Sequence, residues 1–389
     1  MKPVNELTLR FGESVIRGMS RVCAAHGGIN LAQGFPDWDT PEEVKEAAIK
    51  AIRDGFNQYA VTWGTPNLRD AIAQRAEIYN HMPCDPDSMI TVTCGATEGM
   101  IAALKAIINP GDEIVIFEPF YENYGPDTLL SGATPRYVTL RPPNWSFDPD
   151  ELAAAFGPKT KAIVVNTPNN PTGKVFSRQE LNSIAELCRR WDAYLINDEI
   201  YEYILYDGEE HISPAALPGM EDLGITVNSM SKTFSATGWR VGWVIAPPEV
   251  TAAVRKVHDF LTVGAAHPLQ EACAAGLRLP ESYYQGLKGL YADRRDQLYG
   301  VLDELGFNPN LPKGAYYIIT EVAHLMERYG CADDTNMALK LIELTGVATV
   351  PGSSFYSRPE LGRTQVRFCF CKTRETLEKA AAGLRKLAG

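Results

Sequence analysis

The chain reads as an α/β protein: a mostly parallel seven-stranded sheet in a large domain, joined to a smaller α+β domain. Three observations predict this. From Met89 onward, strand-like and helix-like segments alternate; several of the strand-like runs are apolar throughout; and past about Gly286 the alternation loosens into long helices and short strands. Strands that are apolar on both faces need helices on both sides, which is the setting of a parallel sheet. A length of 389 residues suits two domains, read as 41–285 for the larger and 1–40 with 286–389 for the smaller.

The elements follow in order. A helix is expected from about Glu6 to Ala25, then a short strand at 29–32 and a loop, Gln33-Gly34-Phe35-Pro36-Asp37-Trp38. Thr40-Pro41-Glu42-Glu43 reads as a capping box with proline at the first helical position, starting a helix that runs to about Arg53. An aromatic loop containing Tyr59 and Trp63 leads into another helix. The seven sheet strands are expected at 89–93, 113–117, 134–140, 161–166, 194–197, 224–228 and 241–246. Between them, Gly95 to Gly99 opens a helix, Asp148-Pro149 caps a short one, and Ser177 to Glu180 is a capping box for a third. Helices at 287–305 and 335–344 and strands at 315–320 and 365–370 complete the smaller domain.

Composition narrows the function. A net charge of −11 argues against non-specific binding to nucleic acid or anionic membranes, both of which favour a basic face. The first residues lack a signal-peptide core and no run reaches the length of a membrane span, so a cytoplasmic protein is expected. Eight cysteines are too sparse for a disulfide framework, and Cys369 and Cys371 form a lone C-x-C without a second pair for zinc. No metal site is expected.

The chemistry gathers where strands end. Lys232 follows the 224–228 run, flanked by Ser229, Ser231 and Thr233, with Arg240 between Gly238 and Gly242. A lysine so placed can form a Schiff base with an aldehyde or neutralise a phosphate, and the hydroxyls and guanidinium match phosphate oxygens. A solvated loop lysine is the plainer alternative. Asp198 ends another strand, with Tyr201 three residues on. The acid can pair with a pyridinium nitrogen or simply bond backbone amides. Gly95-Ala96-Thr97 opens a helix whose free amides suit a phosphate. Arg367, in an otherwise apolar strand, wants a carboxylate, a phosphate or an internal salt bridge. None of the six histidines has an assignable spacing.

The full S-x-S-K-x-x-x-x-x-G-x-R-x-G spacing around Lys232 resembles the signature of the class I/II aminotransferases, pyridoxal 5'-phosphate enzymes of fold type I. Asn166-Thr167-Pro168-Asn169-Asn170-Pro171-Thr172-Gly173, Glu118-Pro119-Phe120-Tyr121 and Arg367-Phe368-Cys369-Phe370 extend the likeness over roughly Asn30 to Phe370. It is greatest to the kynurenine/glutamine transaminases and the aspartate/aromatic aminotransferase branch. The resemblance implies that Lys232 carries the cofactor and moves the proton, while Asp198 meets the ring nitrogen. Tyr201 and Asn170 would bond the phenolic oxygen, Tyr121 would stack on the ring, and Gly95, Ala96, Thr97, Ser229, Ser231 and Arg240 would take the phosphate. Tyr59 would reach the phosphate of a second subunit in a homodimer. Arg367 with Gly34 and Asn170 would hold the α-carboxylate of an amino acid or 2-oxo acid.

The kynurenine/glutamine branch has a tryptophan in its first helix and a Phe-His pair ahead of the Pro268 position. Here Ile16 and Ala265-Ala266 stand there, which opens the substrate question. Phe11, Ile16, Trp38, Trp63, Tyr124 and Phe355 are the expected side-chain pocket. The alternatives are a cysteine-conjugate β-lyase on the same site and a non-catalytic effector domain. The second is disfavoured because no basic module precedes Asn30.

Overall fold

The computed structural model describes residues 2–388. The strands are β1 (Ile29–Asn30), β2 (Ile90–Thr93), β3 (Glu113–Glu118), β4 (Thr134–Thr139), β5 (Thr160–Asn166), β6 (Tyr194–Asp198), β7 (Gly224–Ser229), β8 (Gly242–Ile245), β9 (Tyr317–Glu321), β10 (Val347–Ala348), β11 (Val350–Pro351) and β12 (Gln365–Cys369). The helices are α1 (Val15–Ala25), α2 (Glu42–Arg53), α3 (Pro66–Asn80), α4 (Ala96–Ile107), α5 (Tyr124–Leu130), α6 (Pro149–Ala155), α7 (Arg178–Trp191), α8 (Met230–Thr233), α9 (Pro248–Thr262), α10 (His267–Leu277), α11 (Glu281–Glu304), α12 (Ala323–Tyr329), α13 (Asp334–Thr345) and α14 (Arg374–Leu384).

Seven strands form one sheet in the order β2-β8-β7-β6-β5-β3-β4, parallel except for β8, which runs antiparallel to both neighbours. Side chains alternate across a strand, so each face carries every second residue. Ile114, Ile116, Ala162, Val164, Ile196 and Val227 pack under α4 and α9 with Met100, Leu104 and Val254. Val115, Phe117, Ile163, Val165 and Leu195 pack on the other face with Leu181, Ile184 and Cys188 of α7. That division explains the continuously apolar strands. The seven strands and their mostly parallel order match the expected class.

A second layer holds the antiparallel sheet β11-β12-β9, the parallel pair β1-β10, and helices from both termini. Its core joins Ile16 and Met19 of α1 to Ile318, Leu341, Phe368 and Leu377. Helix α11 is continuous from Glu281 to Glu304 and so passes through the boundary set at 285/286. The helix expected from 287 starts six residues earlier, after the cap residue Pro280 in extended conformation.

Two local expectations are corrected. The helix expected over 6–25 is broken: a 3-10 turn, Glu6–Leu9, is capped by Asn5, and α1 starts afresh where the Ser14 side chain accepts from Arg17 N. Short polar side chains compete for backbone amides and so start helices where apolar spacing alone would continue one. Thr40 does not cap α2; Pro41 is the cap residue, with no side-chain bond, and the Thr40 hydroxyl donates to Ser235 O instead (3.3 Å). The Ser177–Glu180 capping box is present as read, with both reciprocal bonds.

Candidate active site

Parallel sheets place loops at the carboxyl ends of their strands, and the chain reverses its lateral direction after β4, leaving β3 and β5 side by side at the switch point. The cleft opens there, with a cavity of about 150 Å³. Register lines up its floor: Asn166, last in β5, pairs with Asp198, last in β6, which pairs with Val227 of β7. Asn166 Nδ2 donates to Asp198 O (3.0 Å), locking two strand ends together.

Lys232, on the short α8 that caps β7, points into the cleft and its Nζ donates to Gly34 O (3.2 Å). Burial lowers its pKa to about 8, and the charges of Arg240 and Arg367 act in the same direction against those of Cys371 and Asp198. Asp198 also lines the cleft. Burial raises its pKa to about 6, partly offset by hydrogen bonds from Tyr124 Oη (2.7 Å) and Ile200 N (3.3 Å). A readily neutralised amine and a buried carboxyl group therefore share one cavity.

A cradle lies beside them. Ala96, Thr97, Ser229, Ser231 and Arg240 line the cleft. Gly95 has φ +81°, and a Cβ there would lie 2.3 Å from Arg240 Nη2, so only glycine lets the guanidinium approach the start of α4. Arg240 itself is held at φ 54°, and its side chain donates only to Thr237 O (3.1 Å). Helix-start amides, two hydroxyls and a guanidinium with donors to spare suit a phosphate. With Lys232 for an aldehyde and Asp198 for a protonated ring nitrogen, the set fits pyridoxal 5'-phosphate.

Tyr121, Asn170, Tyr201 and Gly34 also line the cleft. Tyr201 Oη lies 3.0 Å from Tyr317 Oη. Arg367 lies just behind the lining and is fully buried. Its Nη1 donates to Asn170 Oδ1 (2.8 Å), its Nη2 to Ala32 O, and its guanidinium sits over the Tyr317 ring at 4.2 Å; its Nε has no hydrogen-bond partner. Tyr59 is 88% exposed and outside the cleft of its own chain.

Of the expected side-chain pocket, Ile16 and Tyr124 reach the cleft. Trp38 instead packs on Tyr291 (5.3 Å), Trp63 lies under Arg255 (5.0 Å), Phe355 is buried against Arg367, and Phe11 lies away from the lining. Arg17 of α1 and Glu122 are lining residues that sequence reasoning missed. The Ser14 hydroxyl donates to Glu122 Oε1, which ties the start of α1 to the segment after Tyr121. Arg17 has no side-chain partner among the described residues. Nothing in the local pattern signals contacts made across 108 positions.

Behind the floor, Glu199, Glu202 and His211 bring their ligand atoms within 4.8 Å of one another. The carboxylates are already served by Asn197 Nδ2, Ser213 Oγ, Asn80 Nδ2 and Asn228 Nδ2. Burial, then the charge of Glu199, raises the Glu202 pKa to about 7. A donor-saturated acid pair of this kind holds a proton more readily than a cation.

Fold and site together define an amino-group transferase of fold type I, and the model of the family "Aminotransferase class I and II" matches residues 26–384. The chain belongs to that family, is dependent on pyridoxal 5'-phosphate, and transfers an amino group from an amino acid to a 2-oxo acid. It is 37% identical to kynurenine–oxoglutarate transaminase of Dictyostelium discoideum, over 98% of this chain and 95% of that one. It is 35% identical to methionine aminotransferase of Escherichia coli, over 97% of each. The solved N-succinyldiaminopimelate aminotransferase of Mycobacterium tuberculosis superposes with a TM-score of 0.94 at 36% identity, over 99% of this chain and 100% of that one. No described helix is long and apolar enough to cross a membrane.

Proposed function

We propose that the cleft binds the cofactor between Lys232 and Asp198 and takes a neutral amino donor and an acidic 2-oxo acid acceptor in alternating half-reactions. The observation that carries this reading is the pairing of an easily neutralised lysine with a buried acid beside a phosphate cradle. Lys232 Nζ would hold the cofactor through its aldehyde group, with water as the leaving group, and once freed by the substrate amine it would take the proton from the amino acid's Cα. When bound, the cofactor supplies an electron-poor ring that accepts the electron pair left at that carbon.

Asp198 would keep a proton on the ring nitrogen, Tyr201 and Asn170 would bond the phenolic oxygen, and Tyr121 would stack on the ring. The amides of Gly95, Ala96 and Thr97, with Ser229, Ser231 and Arg240, bind the phosphate, joined by the partner's Tyr59 in a homodimer. Arg367, assisted by Gly34 and Asn170, holds the substrate α-carboxylate. Residues 41–280 act as the cofactor-binding domain and 1–40 with the chain from the start of α11 as the smaller one, in a cytoplasmic enzyme.

The rim supports the choice of substrates. Ile16 and the tyrosine rings offer apolar surface, while Arg17 offers an unpaired cation for a second carboxylate. The Dictyostelium relative, named for kynurenine and oxoglutarate, combines a donor and an acceptor of those two kinds. Arg17→Ala is expected to raise KM for 2-oxoglutarate about tenfold, the worth of a charge-assisted hydrogen bond, and to change KM for a neutral oxo acid less than twofold. Measuring both acceptors against methionine and kynurenine checks this. Equal effects on the two acceptors would refute the acidic-acceptor assignment.

A further inference from the structure

His258 of α9 is fully buried and sits outside the cleft lining. Its Nε2 lies 2.8 Å from the carbonyl oxygen of Thr62 and its Nδ1 lies 2.8 Å from Glu98 Oε1. A carbonyl can only accept, so Nε2 carries a hydrogen. The contact between Nδ1 and a carboxyl oxygen then requires one more proton, whichever of the two atoms formally owns it. Glu98 is the third residue of α4, and its other oxygen accepts from Cys94 N (2.7 Å). A single line of hydrogen bonds thus runs from the loop carrying Tyr59, through His258 and Glu98, to the turn that aims Gly95, Ala96 and Thr97 at the cleft.

The titratable and charged groups around the imidazole are few. Glu98 comes from the strand-to-helix turn, Asp259 from its own helix, and residues 60–64 include none. Burial lowers the pKa of His258, but the hydrogen bond and charge of Glu98, helped by the Thr62 carbonyl, outweigh this and leave it raised overall. The shift favours keeping the shared proton, which is lost as pH rises through the raised value.

We propose that His258 is a positioning residue that, through the proton shared with Glu98, fixes the phosphate-binding turn and the Tyr59 loop relative to each other. This rests on the assignment of residues 95–97 to the phosphate. The test measures dissociation constants of pyridoxal 5'-phosphate and of unphosphorylated pyridoxal, by absorbance, for the full-length protein. Arg240→Ala tests the underlying reading: it must weaken the phosphorylated compound selectively.

For the proposal, His258→Gln and Glu98→Gln are each expected to weaken pyridoxal 5'-phosphate about tenfold, and pyridoxal little. The double variant should lose no more than either single one, because the three groups act as a unit. The affinity of the wild-type protein should fall at alkaline pH, and that fall should be absent in Glu98→Gln. Unchanged affinity, additive losses, or equal weakening of both compounds would overturn it. If His258→Gln does not fold, Glu98→Gln with the pH series decides alone.

Discussion

Lys232→Ala is expected to lower the transamination rate by at least about 10⁴-fold, because the proposed mechanism uses one amine as both covalent anchor and proton carrier. Among the described residues the side chain makes one hydrogen bond, to Gly34 O, and lies over the Tyr316 ring (5.8 Å), so its removal should leave the fold, followed by circular dichroism, intact. The absorbance of the lysine-bound cofactor should vanish in the same variant. Transamination within tenfold of the wild-type rate would refute the role.

The pH dependence has a definite sign. A pKa lowered to about 8 means that the neutral amine dominates above pH 8 and makes up roughly one molecule in ten at pH 7. The rate at which cofactor-free protein takes up the aldehyde should therefore climb from pH 6 to 8 and level off beyond it. A flat profile, measured by stopped-flow absorbance, counts against a poised lysine.

Asp198→Asn is expected to cost about 10²–10³ in kcat, the scale of one lost electrostatic contact to developing charge. The amide oxygen can still accept from Tyr124 Oη, so packing is preserved while the negative charge is removed. KM for the amino donor should move little, since nothing that holds the α-carboxylate is altered. A variant with an unchanged kcat would free Asp198 from any part in the chemistry, and leave it a strand-end acid bonded to Tyr124 and the Ile200 amide.

Legibility followed locality. Asn166, Asp198 and Ser229 stood out because polar residues closing apolar strands are costly to bury without a purpose, and register alone brings them together. Lys232 and Arg240 stood out through spacing within one loop. Tyr124, by contrast, reaches Asp198 across 74 positions, and His258 reaches Glu98 across 160. Such contacts are set by how layers pack, which periodicity does not encode. Arg367 was legible as a buried cation, yet its neighbours Asn170 and Tyr317 emerged only from the tertiary arrangement. The break before α1 was hidden because Ser14 overrides an apolar spacing that would otherwise continue.

The alignment of β5 with β6 carries a consequence for how this enzyme can change. Neighbouring residues of a strand look in opposite directions, so a single residue inserted after Leu195 or Ile196 would turn the Asp198 carboxyl group away from the cleft and present Asn197 in its place, while a deletion of Ile196 or Asn197 would present Glu199. Length variation is tolerable at the amino end of β6, around Asp192, where the chain turns in solvent. Within the strand it is a parity switch, and a chain that keeps the Asp198 carboxyl group in the cleft must keep the count.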